Sequence, residues 1–228
     1  MKEFIRFIFT GEVLQQDSSF LRNMLEVLLG YGKVMFIYLL IVALGVLIFN
    51  ITSSTSTAMV RHNDTNFYYR ILLICIIVPI IEEFAFRLIL NVNKINIIVG
   101  GLSLIFCIGT FINSYINTNK YVLMAIILCI GIYVILSNYE SIVFFIVRNK
   151  FVIIHFLTIL FCLFHYKNHN FNSDLLGILL LMFMTLLLGY YFTFVRLKFG
   201  FAYSVMIHII HNTLISLPFI INNIIKMR

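Results

Sequence analysis

Three ionisable residues lie in the middle of an apolar stretch of the chain. Glu82, Glu83 and Arg87 fall within residues 69–90, which otherwise have the composition of a membrane span. Ionised groups at bilayer depth are costly, so such side chains are paired, face a protected cavity or take part in chemistry. Glu83 precedes Arg87 by four residues, the spacing of a favourable helical ion pair. Glu82 is rotated by about 100° from Glu83 around a helix, which leaves its carboxylate available as a general base.

Two further polar pairs occur downstream in equally apolar surroundings. Phe161 precedes His165 by four residues, and His208 precedes Asn212 by the same spacing. Residues four apart share one face of a helix, so His208 and Asn212 can both donate hydrogen bonds to a developing oxyanion. Plainer interpretations stay open. The charged cluster could be a buried ion pair that only sets helix register, and His165 could be an interfacial histidine at the end of its apolar run.

Together the three constellations resemble the CAAX protease and bacteriocin-processing family of intramembrane endopeptidases. The family motif E-E-x-x-x-R corresponds to residues 82–87, F-x-x-x-H to residues 161–165 and H-x-x-x-N to residues 208–212. The motifs occur in the family's order, and the resemblance covers residues 70–225. Two departures are visible: Leu88 stands where the family commonly has Gly, and the longer spacing after the first motif leaves room for an extra helix pair around 96–137.

The resemblance implies a metal-independent glutamate protease with no cofactor. Glu82 would activate water with the help of His165, and the other two catalytic residues would hold the oxyanion of the tetrahedral intermediate. The implied substrate is a peptide or protein, such as a bacteriocin or leader precursor or a signalling peptide. The implied catalytic residues are Glu82, His165, His208 and Asn212, and the implied supporting residues are Glu83, Arg87 and Phe161.

Other classes of function use the same residues. A zinc-dependent membrane protease could bind its metal through Glu82, His165 and His208, since one carboxylate and two imidazoles suit zinc with an open position. The chain has no HExxH motif, and Asn212 at the oxyanion position argues for the metal-free mechanism. A non-catalytic immunity or scaffold protein is a second alternative, and a transporter that uses the buried charges is a third. The presence of every motif residue favours catalysis.

The composition indicates an integral membrane protein. Hydrophobic residues make up 62% of the 228 residues and charged residues 11%, and the mean hydropathy is +1.05. Soluble domains are about half apolar and about one quarter charged. We predict an all-α, polytopic transmembrane bundle of about seven helices (six to eight) in one domain, 1–228, with the lipid bilayer as its surroundings. The net charge of +7 comes from basic residues scattered between apolar runs, which argues against nucleic acid as a partner.

Seven apolar runs define the predicted passes. Residues 1–30 are expected to include an interfacial amphipathic segment. The excess of Lys and Arg on one side of a seven-pass chain predicts a cytoplasmic N-terminus. The heavy use of Ile and Asn is typical of a bacterial protein from an AT-rich genome, so the membrane is expected to be a bacterial cytoplasmic membrane. The predicted runs are 33–51, 69–90, 96–116, 121–147, 151–165, 174–195 and 201–225.

The seven-pass count conflicts with the proposed site. It places Glu82 and His208 toward the cytoplasmic side of their helices but His165 at the far end of its own. Their convergence requires a half-span or a re-entrant segment, which membrane proteins tolerate where it lines a protein cavity. The 27-residue run 121–147 and Pro79 are the expected places for such a break.

Overall fold

A computed structural model describes residues 1–14, 19–49, 67–113, 120–166 and 175–226. Within these ranges the protein is helical and contains no strand. A π-helical turn, Leu73–Ile77, joins α3 to α4, and a 3-10 turn, Leu88–Leu90, follows α4. The helices are α1 (Lys2–Thr10), α2 (Phe20–Phe49), α3 (Phe67–Leu72), α4 (Val78–Arg87), α5 (Lys94–Asn113), α6 (Lys120–Ser137), α7 (Tyr139–Arg148), α8 (Lys150–His165), α9 (Leu175–Lys198) and α10 (Phe201–Lys226).

Four of the described helices are long and apolar enough to cross a membrane. They contain the spans Phe20–Leu44, Lys94–Phe111, Gly177–Lys198 and Phe201–Ile225, and α6 with α7 would add a fifth as one broken span. The all-α prediction is therefore confirmed for the described residues, and the long apolar helices support the membrane-protein prediction, whereas the bundle of about seven transmembrane helices is not confirmed. Helix α8 has 16 residues, a length of about 24 Å, and falls short of a bilayer core of about 30 Å.

The run predicted at 121–147 breaks into two helices that meet at an angle of 80°. Asn138 leaves the helical conformation at the break, and its side-chain amide donates to the carbonyl of Val134 at 3.1 Å. Asn149 ends the next helix in the same way, with its amide 2.9 Å from the carbonyl of Phe145. Asparagine side chains compete for the backbone hydrogen bonds of a helix, so each of these two helices ends at an asparagine. The short α8 that follows carries His165 to the level of Glu82.

The second expected break, at Pro79, takes a different form. The chain continues through Pro79 as helix, and the irregularity lies just before it, in the π-helical turn. Proline is tolerated in the first turn of a helix, which is where Pro79 lies. Helices α5 and α6 occupy most of residues 96–137, where the extra helix pair is expected.

Helix α9 forms the centre of the core, and α1 packs on its end. Phe4 of α1 lies edge-on to the ring of Tyr191, with ring centroids 5.6 Å apart. Lys198 at the end of α9 donates to Glu3 at 2.7 Å and to Glu26 at 2.9 Å, which ties α1 and α2 to the same point. Among the described residues of the expected interfacial segment 1–30, those of α1 form a separate amphipathic helix, whereas those from 20 onward belong to α2.

Candidate active site

The carboxylate of Glu83 is the most heavily bonded group of the described site. Glu83 is completely buried, and Nη1 of Arg87 donates to its Oε1 at 2.6 Å, as the spacing of the two residues predicts. Nδ1 of His208 lies 2.8 Å from the same oxygen, and the hydroxyl of Ser204 bonds to Oε2. Three partners from α4 and α10 therefore satisfy this carboxylate and join the two helices.

Two aromatic rings enclose the guanidinium of Arg87, which is only 1% exposed. It lies 4.4 Å from the ring centroid of Phe161 on α8 and 5.3 Å from that of Phe192 on α9. These are cation–π contacts, which gain strength when both groups are desolvated. Helices α8 and α9 can approach closely here because residue 189 is Gly. A Cβ at Gly189 would lie 3.2 Å from the Phe161 ring and 3.0 Å from Thr158.

The imidazole of His208 lies between two carboxylates. Its ring stacks on Phe192, with centroids 4.6 Å apart, and is 2% exposed. Because Oε1 of Glu83 can only accept, Nδ1 of His208 carries the proton of that hydrogen bond. Nε2 then faces Oε2 of Glu82 at 3.4 Å. In the neutral ring Nε2 is an acceptor, and only the imidazolium can donate a hydrogen bond from it.

The imidazole of His165 is oriented by its own helix. Its Nδ1 lies 2.9 Å from the carbonyl oxygen of Phe161, one turn earlier. A carbonyl oxygen only accepts, so the proton again resides on Nδ1 and Nε2 points away from the helix. Nε2 faces Oε1 of Glu82 at 3.8 Å. The Phe161 backbone therefore fixes the tautomer of His165, while its ring covers the neighbouring arginine.

Glu82 lies between these two histidines, with one carboxylate oxygen toward each. Its side chain is 17% exposed, in contrast to the completely buried Glu83. No described residue donates a hydrogen bond to its Oε2, although that atom is buried. Two acceptors 3.4–3.8 Å apart can each accept from one water molecule at about 2.8 Å. The arrangement of Glu82 and the two Nε2 atoms is therefore suited to polarise a water molecule.

Asn212 is the one predicted site residue that the described contacts do not join to this cluster. It lies one turn after His208 on α10, but its side-chain amide donates to the carbonyl of Ile74 at 3.1 Å. Ile74 belongs to the π-helical turn before α4. One of the two amide N–H bonds of Asn212 is thus committed to the backbone of another helix, and the second is available for an oxyanion.

Two contributors to the site were not predicted from the sequence. Ser204, which bonds Glu83, precedes His208 by four residues, so the i,i+4 spacing on α10 could have found it. Phe192, which stacks on His208, carries no comparable signal because α9 is rich in aromatic residues. His211 belongs to the core: its Nδ1 lies 2.9 Å from the hydroxyl of Tyr31 on α2.

The zinc alternative depends on the same three side chains. Glu82 approaches His165 and His208, but the described part of the chain contains no group of three or more His, Cys, Asp or Glu side chains arranged to hold a metal ion.

Comparison of the chain with protein-family models, curated proteins and solved structures gives no match. The three motifs and the geometry of the side chains that they contribute are therefore what points to a function. That geometry draws on α4, α8 and α10, three helices from distant parts of the sequence.

Proposed function

We propose that the protein is an intramembrane endopeptidase in which Glu82 activates water without a metal, as the resemblance to the CAAX protease and bacteriocin-processing family implies. The observation that carries the proposal is the convergence of Glu82, His165 and His208. A register-setting ion pair would need only Glu83 and Arg87, which already pair with each other at 2.6 Å. Glu82 is not needed for that purpose, yet it lies between two imidazoles with an oxygen that no described residue bonds.

The proposed reaction begins with a water molecule that donates to Glu82 and to Nε2 of His165. Glu82 removes a proton, and the water oxygen attacks the carbonyl carbon of the scissile peptide bond. The electron pair of the C=O bond moves to oxygen and forms the tetrahedral oxyanion. When the oxyanion collapses, the C–N bond breaks and the proton held by Glu82 passes to the leaving amine.

The oxyanion would be held from α10. Because the Nδ1 proton of His208 is committed to Glu83, this residue can donate to an oxyanion only as an imidazolium, from Nε2. The second amide N–H of Asn212 is the other donor that the resemblance implies. Glu83, Arg87 and the ring packed over Arg87 would then serve to orient His208.

The substrate class follows from the site's surroundings. The site residues lie on apolar helices of a membrane protein, so the substrate would be a peptide or membrane-associated protein segment, such as a bacteriocin or leader precursor or a signalling peptide. The enzyme would act in a bacterial cytoplasmic membrane with its N-terminus in the cytoplasm.

The test compares the purified protein with its Glu82→Gln variant in detergent and in liposomes. The probe is a pooled library of internally quenched peptides, with cleavage sites mapped by mass spectrometry. Loss of the base should lower kcat by about 10²–10⁴ while the protein stays folded. The matched control is Glu140→Gln, which alters an exposed carboxylate on α7 and should leave kcat unchanged. Cleavage by Glu82→Gln at the wild-type rate would overturn the proposal.

A further inference from the structure

The π-helical turn before α4 leaves one backbone carbonyl without a donor from its own helix. The N–H of Val78 bonds to the carbonyl of Leu73, five residues back. With the same spacing of five residues, an N–H at position 79 would donate to the carbonyl of Ile74. Residue 79 is Pro79, which has no N–H. A shielded carbonyl oxygen without a donor costs free energy, so a donor from elsewhere in the protein stabilises this turn.

Asn212 supplies that donor. Its amide nitrogen lies 3.1 Å from the carbonyl oxygen of Ile74. One turn earlier on the same helix, His208 bonds to Glu83. Helix α10 is therefore bonded to the α3–α4 segment at two levels, once at the π-helical turn and once at the site. Two such points fix both the rotation and the axial position of α4 relative to α10.

The rotation of α4 decides which glutamate faces the histidines. A π-helical turn accommodates one more residue than an α-helical turn. Its relaxation to α-helical register would rotate the following helix by about 100°, the angle between adjacent residues. That is the angle between Glu82 and Glu83. Holding the turn in place therefore keeps Glu82 between the two histidines and Glu83 in the buried bonding cluster.

We infer that Asn212 is a positioning residue that fixes α4 through the Ile74 carbonyl left without a donor by Pro79. The hydrogen bond itself is independent of the proposed function, but its consequence for Glu82 rests on that function. This role takes the place of the oxyanion role that the resemblance implies for Asn212, in which the amide bonds the substrate and the residue at position 79 is irrelevant.

A double-substitution cycle separates the two roles. The variant Asn212→Ala should lower Tm by about 2–10 °C and kcat by about 10²-fold, with KM on the quenched peptide library unchanged. Pro79→Ala alone should change neither, because its new N–H serves the Ile74 carbonyl alongside the amide. The double variant should recover most of both losses, since the backbone N–H gained at position 79 then supplies the donor.

The matched control pairs Asn212→Ala with Pro218→Ala, which changes the proline inside α10 and should rescue nothing.

Each result bears on the proposal. If Pro79→Ala fails to restore Tm, or restores Tm while kcat stays at the Asn212→Ala level, the inference is overturned and Asn212 acts on the substrate. If Asn212→Ala alone does not fold, recovery of a folded double variant supports the inference and failure to recover it contradicts it. If no variant cleaves any peptide, the proposed function has failed, and the Tm cycle still decides whether Asn212 serves the turn.

Discussion

Replacing Glu83 by Gln removes one charge from the centre of the site and leaves the side-chain shape unchanged. Arg87 is 1% exposed and Glu83 completely buried, so the substitution leaves a buried cation without its hydrogen-bonded counter-ion. Breaking such a pair costs about 3–5 kcal/mol, a large part of the roughly 5–15 kcal/mol that stabilises a typical protein. For a chain of this size we expect Tm to fall by about 6–20 °C.

A second substitution separates stability from catalysis. In Glu83→Gln/Arg87→Met the stranded cation is replaced by an apolar side chain of similar length that can pack against Phe161. We expect this double variant to regain most of the lost Tm, because replacing both members of a buried pair is close to neutral. It should not regain kcat, since Nδ1 of His208 no longer faces a carboxylate that fixes its tautomer. The remaining deficit should be about 10²–10⁴ in kcat.

The assay measures Tm and peptide cleavage on the same preparations. The control pair is Arg6 and Glu12, whose side chains are 70% and 75% exposed and lie 3.7 Å apart. Glu12→Gln should change Tm and kcat little, because exposed ion pairs contribute little. A wild-type Tm for Glu83→Gln would refute the burial argument. Recovery of kcat together with Tm in the double variant would show that Glu83 is only a counter-ion for Arg87.

A further prediction concerns the same cluster. Ser204→Ala should lower Tm by about 3–10 °C, because it removes a hydrogen bond to a buried charge, and Ser204→Thr should restore most of it; equal Tm values for the two variants in a thermal melt would contradict this.

The local chemistry of the site could be predicted from sequence because helical spacing alone carries it. The Glu83–Arg87 ion pair follows from a separation of four residues. The hydrogen bond from His165 to the Phe161 backbone follows the same spacing, but sequence suggests a side-chain role for Phe161 and hides the role of its carbonyl. Ser204 was not predicted because serine in an apolar helix is common, although its spacing of four residues from His208 is a signal that could have found it.

The long-range arrangement could not be predicted because weak local signals decide it. Asn138 and Asn149 each end a helix through a side-chain bond to the backbone, and within long apolar runs these residues scarcely change the hydropathy. The seven-pass count therefore misplaced His165 by treating such runs as complete spans. Pro79 was predicted as the place of a break, but the structure around it depends on a hydrogen-bond donor on α10. That donor, Asn212, lies more than a hundred positions away in the sequence.

Peptide cleavage by zinc-free protein distinguishes a general base from a metal ligand at Glu82. If Glu82 acts on water as a base, the wild-type protein should retain its full kcat after exhaustive treatment with EDTA and phenanthroline, and elemental analysis of the active preparation should find no stoichiometric zinc. Loss of activity that added zinc restores would instead make Glu82, His165 and His208 metal ligands, and would contradict the mechanism proposed for this protein.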